Sequence, residues 1–265
     1  MLKNGEVLYA HTKKWFKMIF VILLSYALAA LFYFSGYKPD FHWTYLVFVY
    51  AYMWIPGIVA FFQARREKIN LPFKFSVVAY LKTAFSSFVL VMASIFLVAH
   101  FYNWQSFFIA DLKNSVFSLF LYFVFGVVLG PFAVLGQEMM WRGVLHEKLK
   151  SLKPLKASTM IGLAWGIWYI PLVLLGFNYP GHPFAGSLMI LVLTISLSPL
   201  LFYYRERAKS IMIPTAFHAV LNALFGITFF VFEDPNYFIA GPTGIIAIGL
   251  YAIASCCAIK KLAKG

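Results

Sequence analysis

In a chain that is 62% hydrophobic and 12% charged, an ionisable side chain inside an apolar run is a candidate for chemistry, because charge in hydrocarbon is costly unless paired or put to use. Three stretches hold such candidates. In Leu135-Gly136-Gln137-Glu138-Met139-Met140-Trp141-Arg142-Gly143, Glu138 and Arg142 are four apart, so they share a helix face and can pair. An ion pair that merely lets two charges enter the bilayer together explains the same spacing. In Pro214-Thr215-Ala216-Phe217-His218-Ala219-Val220-Leu221-Asn222, His218 and Asn222 stand one turn apart. They lie roughly 10 and 16 Å from the cytoplasmic end of that helix at about 1.5 Å per residue. An imidazole suits proton transfer near neutral pH, although a lone histidine in a bundle is often only a hydrogen-bonded packing residue. In Gly162 to Leu172, Trp165 and Tyr169 share a face, a spacing that packing alone also accounts for. His100 sits near the outer end of its own run.

The elements that must position these groups follow from composition. Soluble domains average about 45–50% apolar and about 25% charged residues, so this chain is neither a cytosolic globule nor a disordered or disulfide-stapled one. A membrane-spanning helix needs roughly 20 mostly apolar residues. Eight windows qualify, near 17–36, 44–63, 79–100, 116–136, 158–176, 186–204, 211–231 and 240–259. Basic residues test this division, because they accumulate on the cytoplasmic side. With the N-terminus inside, the inner segments collect Lys3, Lys13, Lys14 and Lys17, then Arg65, Arg66, Lys68, Lys74 and Lys82. Arg142, Lys148, Lys150, Lys153 and Lys156 follow, then Arg205, Arg207 and Lys209, and finally Lys260, Lys261 and Lys264. Of the 22 basic residues, Lys38 and Lys113 alone fall outside. The expected fold is therefore all-α: a polytopic bundle of eight transmembrane helices, both termini cytoplasmic, with residues 1–265 as a single membrane domain. The net charge of +13 then records orientation, not affinity for nucleic acid. Trp15, Trp43, Trp104 and Tyr237 fall near span ends, where amphipathic rings favour the interface. Cys256 and Cys257 are adjacent within an apolar run and suggest neither a disulfide framework nor a metal site.

Together and in this order, the three stretches resemble the CAAX-processing and bacteriocin-processing family of intramembrane proteases, also called CPBP or Abi proteins. That family carries Glu-Glu-x-x-x-Arg, then an aromatic four residues before a histidine, then His-x-x-x-Asn. Gln137-Glu138-Met139-Met140-Trp141-Arg142 is similar to the first, and Trp165-Gly166-Ile167-Trp168-Tyr169, followed by Pro171, to the second. His218 to Asn222 gives the third intact. The loop Asn178-Tyr179-Pro180-Gly181-His182-Pro183 also resembles a bacterial branch. The likeness covers about 137–226. It implies an endopeptidase site formed by Gln137, Glu138, Arg142, Tyr169, His218 and Asn222, with no cofactor. It also implies membrane lipids and a membrane-anchored or lipidated peptide as partners, in a bacterial or archaeal plasma membrane.

Two positions depart from the pattern. The glutamate taken as the family's general base is Gln137, an amide that accepts no proton at relevant pH. The second-motif histidine is Tyr169, a phenol whose reference pKa is about 10. Peptide hydrolysis needs an activated water and donors for the oxyanion. His218 and Asn222 can supply donors, and His218 is an alternative base, though no carboxylate is evident in the sequence to orient it. Glu138 points about 100° away from residue 137 on a regular helix, and its expected role is to hold Arg142. A catalytic zinc usually has three protein ligands, more than this set supplies. Two readings stand side by side: an endopeptidase with an altered site, and a catalytically inactive relative acting in binding, regulation or bacteriocin immunity. A transporter or channel is disfavoured by the scarcity of polar positions within the spans.

Overall fold

The computed structural model describes the backbone of residues 2–36, 43–102, 112–225 and 236–264, and side chains within 18–36, 47–101, 116–225 and 236–264. Long apolar runs favour helices because each helix satisfies its own backbone hydrogen bonds where water is absent. The elements are α1 (Leu2–Phe34), α2 (Trp43–Glu67), α3 (Val77–Tyr102), α4 (Leu112–Val128), α5 (Gly130–Glu138), a π-helical segment (Met139–Leu145), α6 (His146–Leu149), α7 (Pro154–Leu174), α8 (Pro183–Ala208), α9 (Met212–Phe225) and α10 (Ile245–Ala263). Among the described residues there is no strand.

Five helical stretches are long and apolar enough to cross a membrane: Val47–Glu67, Val77–Phe101, Pro154–Leu174, Pro183–Ala208 and Ile245–Ala263. Val116–Val128 and Gly130–Leu149 form a sixth only as a pair bent by 45°. Met18–Phe34 and Met212–Phe225 are shorter apolar helices. Among the described residues each of the eight apolar runs lies largely on a helix, and five or six helical stretches meet the length of a span. Residues 226–231 of the seventh run, and the side chains of Trp15, Trp43, Trp104, Lys38 and Lys113, lie outside the described residues.

The fourth run differs from the straight span expected over 116–136. Its helix breaks at Leu129, and its second half continues to Leu149. Pro131 supplies the cause: it has no N–H to donate to the carbonyl four residues earlier. That carbonyl, on Val127, instead accepts from the Tyr80 hydroxyl of α3 at 2.8 Å. Pro171 inside α7 repeats the device, for the freed Ile167 carbonyl accepts from Tyr26 of α1 at 3.0 Å. Neighbouring side chains thereby make proline tolerable within the apolar interior.

Glycines set the crossings that bring the candidate residues together. A Cβ at Gly162 would lie 2.6 Å from the Thr194 carbonyl oxygen, and one at Gly166 would lie 2.5 Å from Thr194 Oγ1. Gly162-x-x-x-Gly166 is therefore the flat face on which α7 closes against α8. On the other side, a Cβ at Gly57 would meet Gly136 Cα at 2.5 Å, so α2 crosses α5 beside Gln137. Ala219 of α9 lies over Gly130 at 3.1 Å by the same measure, and Val220 and Ala223 lie over Gly126 of α4. Close approach of α9 to both halves of the broken span is what delivers His218 to Glu138.

Candidate functional site

From Gly136 through Leu145 every residue is buried. The ladder widens to π geometry at Met139, immediately after Glu138, a local change often found at functional positions. Arg142 lies within that segment and donates from Nη1 to Glu138 Oε1 at 3.0 Å. Its Nη2 reaches Ser198 Oγ of α8 at 3.5 Å, and its guanidinium carbon stands 4.7 Å from the Trp165 ring centroid. Arg142 is 1% exposed and Glu138 is fully buried, so neither charge has recourse to solvent and each depends on the other.

The same Glu138 Oε1 lies 2.8 Å from Nδ1 of His218. This supplies the orienting carboxylate that was not evident in the sequence, while Glu138 also holds Arg142 as expected. A carboxylate accepts and does not donate, so Nδ1 is the donor in this contact. Trp165 packs edge-on against the imidazole with ring centroids 4.9 Å apart. Its indole therefore sits against both the guanidinium and the imidazole, a contact role beyond simple helix packing.

The remaining expected residues lie nearby in the fold. Tyr169 is one turn beyond Trp165 on α7, and Asn222 is one turn beyond His218 on α9. The two helices run in the same sense from the basic end of the bundle, so each advances by about 6 Å at 1.5 Å per residue. Tyr169 donates its hydroxyl to Asn178 Oδ1 at 2.9 Å, in the loop that follows α7, and is not joined to Glu138 by any described hydrogen bond. Asn222 is half-buried. Gln137 is fully buried, and neither its amide nitrogen nor its amide oxygen has a hydrogen-bond partner among the described residues. The same holds for Glu138 Oε2, Arg142 Nε, Trp141 Nε1 and Trp165 Nε1. A buried polar atom without a partner costs about 1–3 kcal/mol. Their concentration around one carboxylate marks a place whose polar groups are kept for something other than packing.

Two buried charged residues escaped the sequence reading. His146 is 1% exposed and pairs through Nε2 with Glu206. Arg205 is 3% exposed, donates from Nε to the Arg142 carbonyl at 3.0 Å, and pairs with Glu147 at 3.2 Å. Both lie beyond the expected span ends at 136 and 204. The signal that would have found them is helical spacing continued past the apolar windows: α6 extends to Leu149 and α8 to Ala208. His100 is exposed in the last turn of α3, its ring against Phe101.

The site thus offers a carboxylate–imidazole pair, a counter-charge for the carboxylate, and unpartnered N–H groups on Gln137 and Trp165. Among the described residues no three His, Cys, Asp or Glu side chains converge. Glu138 and His218 would be the available metal ligands, one fewer than a catalytic zinc ordinarily takes.

Residues 119–224, under half of the 265-residue chain, match the family model described as type II CAAX prenyl endopeptidase Rce1-like. The match bears out the resemblance drawn from the three motifs and begins earlier than about 137, taking in part of α4. It contains Gln137, Glu138, Arg142, Trp165, Tyr169, His218 and Asn222. A comparison with curated proteins gives no match. The apolar helices and this domain together mark an integral membrane protein with an intramembrane-protease-like core.

Proposed function

We propose that this protein is an intramembrane endopeptidase that cuts a membrane-anchored or lipidated peptide near the cytoplasmic leaflet, using Glu138 and His218 where the family pattern uses a carboxylate at position 137. The eight apolar segments each cross the bilayer in this reading, with both termini cytoplasmic. The observation that carries it is the 2.8 Å contact between Glu138 Oε1 and His218 Nδ1. An imidazole held through Nδ1 by a buried carboxylate presents Nε2 as a base, the logic of the serine-protease triad applied to water.

His218 Nε2 takes a proton from water as the hydroxide oxygen bonds to the scissile carbonyl carbon. The carbonyl π electrons move to oxygen, and the oxyanion is met by N–H donors. Asn222, Gln137 and Trp165 carry such donors, and the last two have buried N–H groups without a described partner. Collapse of the tetrahedral intermediate breaks the C–N bond, and His218 returns its proton to the leaving nitrogen. Glu138 stabilises the imidazolium between these steps, and Arg142 supplies its counter-charge. Gln137, unable to act as base, becomes a hydrogen-bond donor.

One observation favours the second reading, an inactive relative acting as a binding, regulatory or bacteriocin-immunity protein. Tyr169 stands at the second-motif position, and its hydroxyl is committed to Asn178. The deciding experiment incubates the purified full-length protein in nanodiscs with a lipidated peptide reporter and follows the new N-terminus by mass spectrometry. Cleavage by the unmodified protein, reduced about 10²–10⁴-fold by His218→Ala as expected for loss of a general base, supports the enzyme. Reporter binding without cleavage establishes the second reading.

A further inference from the structure

At the basic end of the bundle lies a pocket of about 800 Å³, within the range that accommodates a small ligand. Its wall combines Lys74, Lys150, Arg205, Arg207 and Lys209 with two carboxylates, Glu147 and Glu206. Both oxygens of each carboxylate are already engaged. Glu147 accepts from Arg205 at 3.2 Å and from Lys150 at 2.8 Å, and its hydrogen bond raises the pKa of the Lys150 ammonium. Glu206 meets His146 through one oxygen and Lys209 through the other. Lys74 and Arg207 are exposed and have no carboxylate partner among the described residues. The guanidinium of Arg207 stands 5.9 Å from the Tyr203 ring centroid.

The pocket therefore carries an excess of positive charge that the protein leaves uncompensated. Its remaining lining includes Leu152, Phe202 and Leu262. Cations beside apolar side chains, where the apolar helices end, match a ligand with an anionic head and hydrocarbon attached. We infer that this pocket binds the headgroup phosphate of an anionic phospholipid from the adjoining leaflet, with Lys74 and Arg207 as its direct ligands. A guanidinium and an ammonium lining one pocket suit phosphate oxygens, the former bidentately. Juxtamembrane basic residues attract anionic leaflets generally. The inference here is narrower: a discrete site, formed between the α2–α3 connection and the end of α8. It stands independently of whether the protein cleaves peptides.

A bound headgroup would tie those elements together and stabilise the fold by linkage. The test places the full-length protein in nanodiscs of phosphatidylcholine, with and without phosphatidylglycerol, and measures Tm together with lipid retention by native mass spectrometry. Phosphatidylglycerol should raise Tm by about 2–4 °C, the scale of a modest ligand effect in a chain of this size, and remain bound to the unmodified protein. Lys74→Ala with Arg207→Ala should lose both signals. Lys260→Ala with Lys261→Ala, which removes the same charge at positions of α10 that do not line the pocket, should keep both. Equal loss in the two double variants would overturn the pocket in favour of diffuse surface attraction, and an unchanged response in the Lys74/Arg207 variant would overturn its ligands. An equal shift from millimolar inorganic phosphate in pure phosphatidylcholine would overturn the lipid as source and assign the site to free phosphate.

Discussion

His218 Nδ1 and Glu138 Oε1 lie 2.8 Å apart, though 80 residues separate them in the chain. The same oxygen receives Arg142 at 3.0 Å, so one carboxylate oxygen holds an imidazole on α9 and a guanidinium in the π segment. Glu138→Gln keeps the shape and removes the charge, leaving Arg142 buried and uncompensated. The expected loss is about 3–5 kcal/mol of stability, typical of breaking a buried pair. Pairing it with Arg142→Met should recover most of that stability and leave proteolysis abolished. Thermal unfolding in detergent and the reporter assay separate the two effects.

Gln137 and Tyr169 mark where the proposed mechanism departs from the family pattern, so restoring that pattern tests which base operates. Gln137→Glu with Tyr169→His should raise cleavage of the lipidated reporter over the unmodified protein. In that background the dependence on Glu138 should weaken, because a second carboxylate becomes available to activate water. The measurement is the ratio of rates with and without Glu138→Gln in each background. An unchanged ratio would show that position 137 never approaches the reacting water.

The all-helical character of the chain was legible because hydrophobic length is a property of single segments. The three motifs were legible for the same reason: Glu138 to Arg142 and His218 to Asn222 are spacings within one helix. The Glu138–His218 pair was not, because it depends on how α9 crosses α5. That crossing is set by Gly126 and Gly130 against Val220, Ala219 and Ala223, a relation between distant segments. The break at Leu129 was hidden as well, since hydropathy runs smoothly through Gly130-Pro131. His146 and Arg205 were missed because burial by neighbouring helices continues past the end of the apolar windows.

Gly162 and Gly166 give a packing prediction free of catalysis. Gly162→Ala would drive its Cβ to 2.6 Å from the Thr194 backbone oxygen, and backbone cannot rotate aside. The expected cost is about 1–3 kcal/mol, the range for overfilling a tight contact. Gly249 of α10 is the control, because an added Cβ meets nothing within 4 Å. There Gly→Ala should be neutral or gain about 0.5–1 kcal/mol from helix propensity. The unfolding midpoint should fall for Gly162→Ala and hold or rise for Gly249→Ala.

The proline caps allow a prediction by double-mutant cycle. Tyr26 donates to the Ile167 carbonyl at 3.0 Å, the carbonyl that Pro171 leaves without its helical donor. Tyr26→Phe should therefore cost about 1–2 kcal/mol, the loss of one hydrogen bond to a buried acceptor. In a Pro171→Ala background the new N–H at 171 can reach Ile167 along the helix, so the same Tyr26→Phe change should cost much less. Positive coupling between the two sites would establish that α1 is fastened to α7 because of the proline. Additive effects would mean that the tyrosine contributes only through packing. The difference matters for the site, since Trp165 and Tyr169 lie on the turns just before Pro171 and take their orientation from that part of α7.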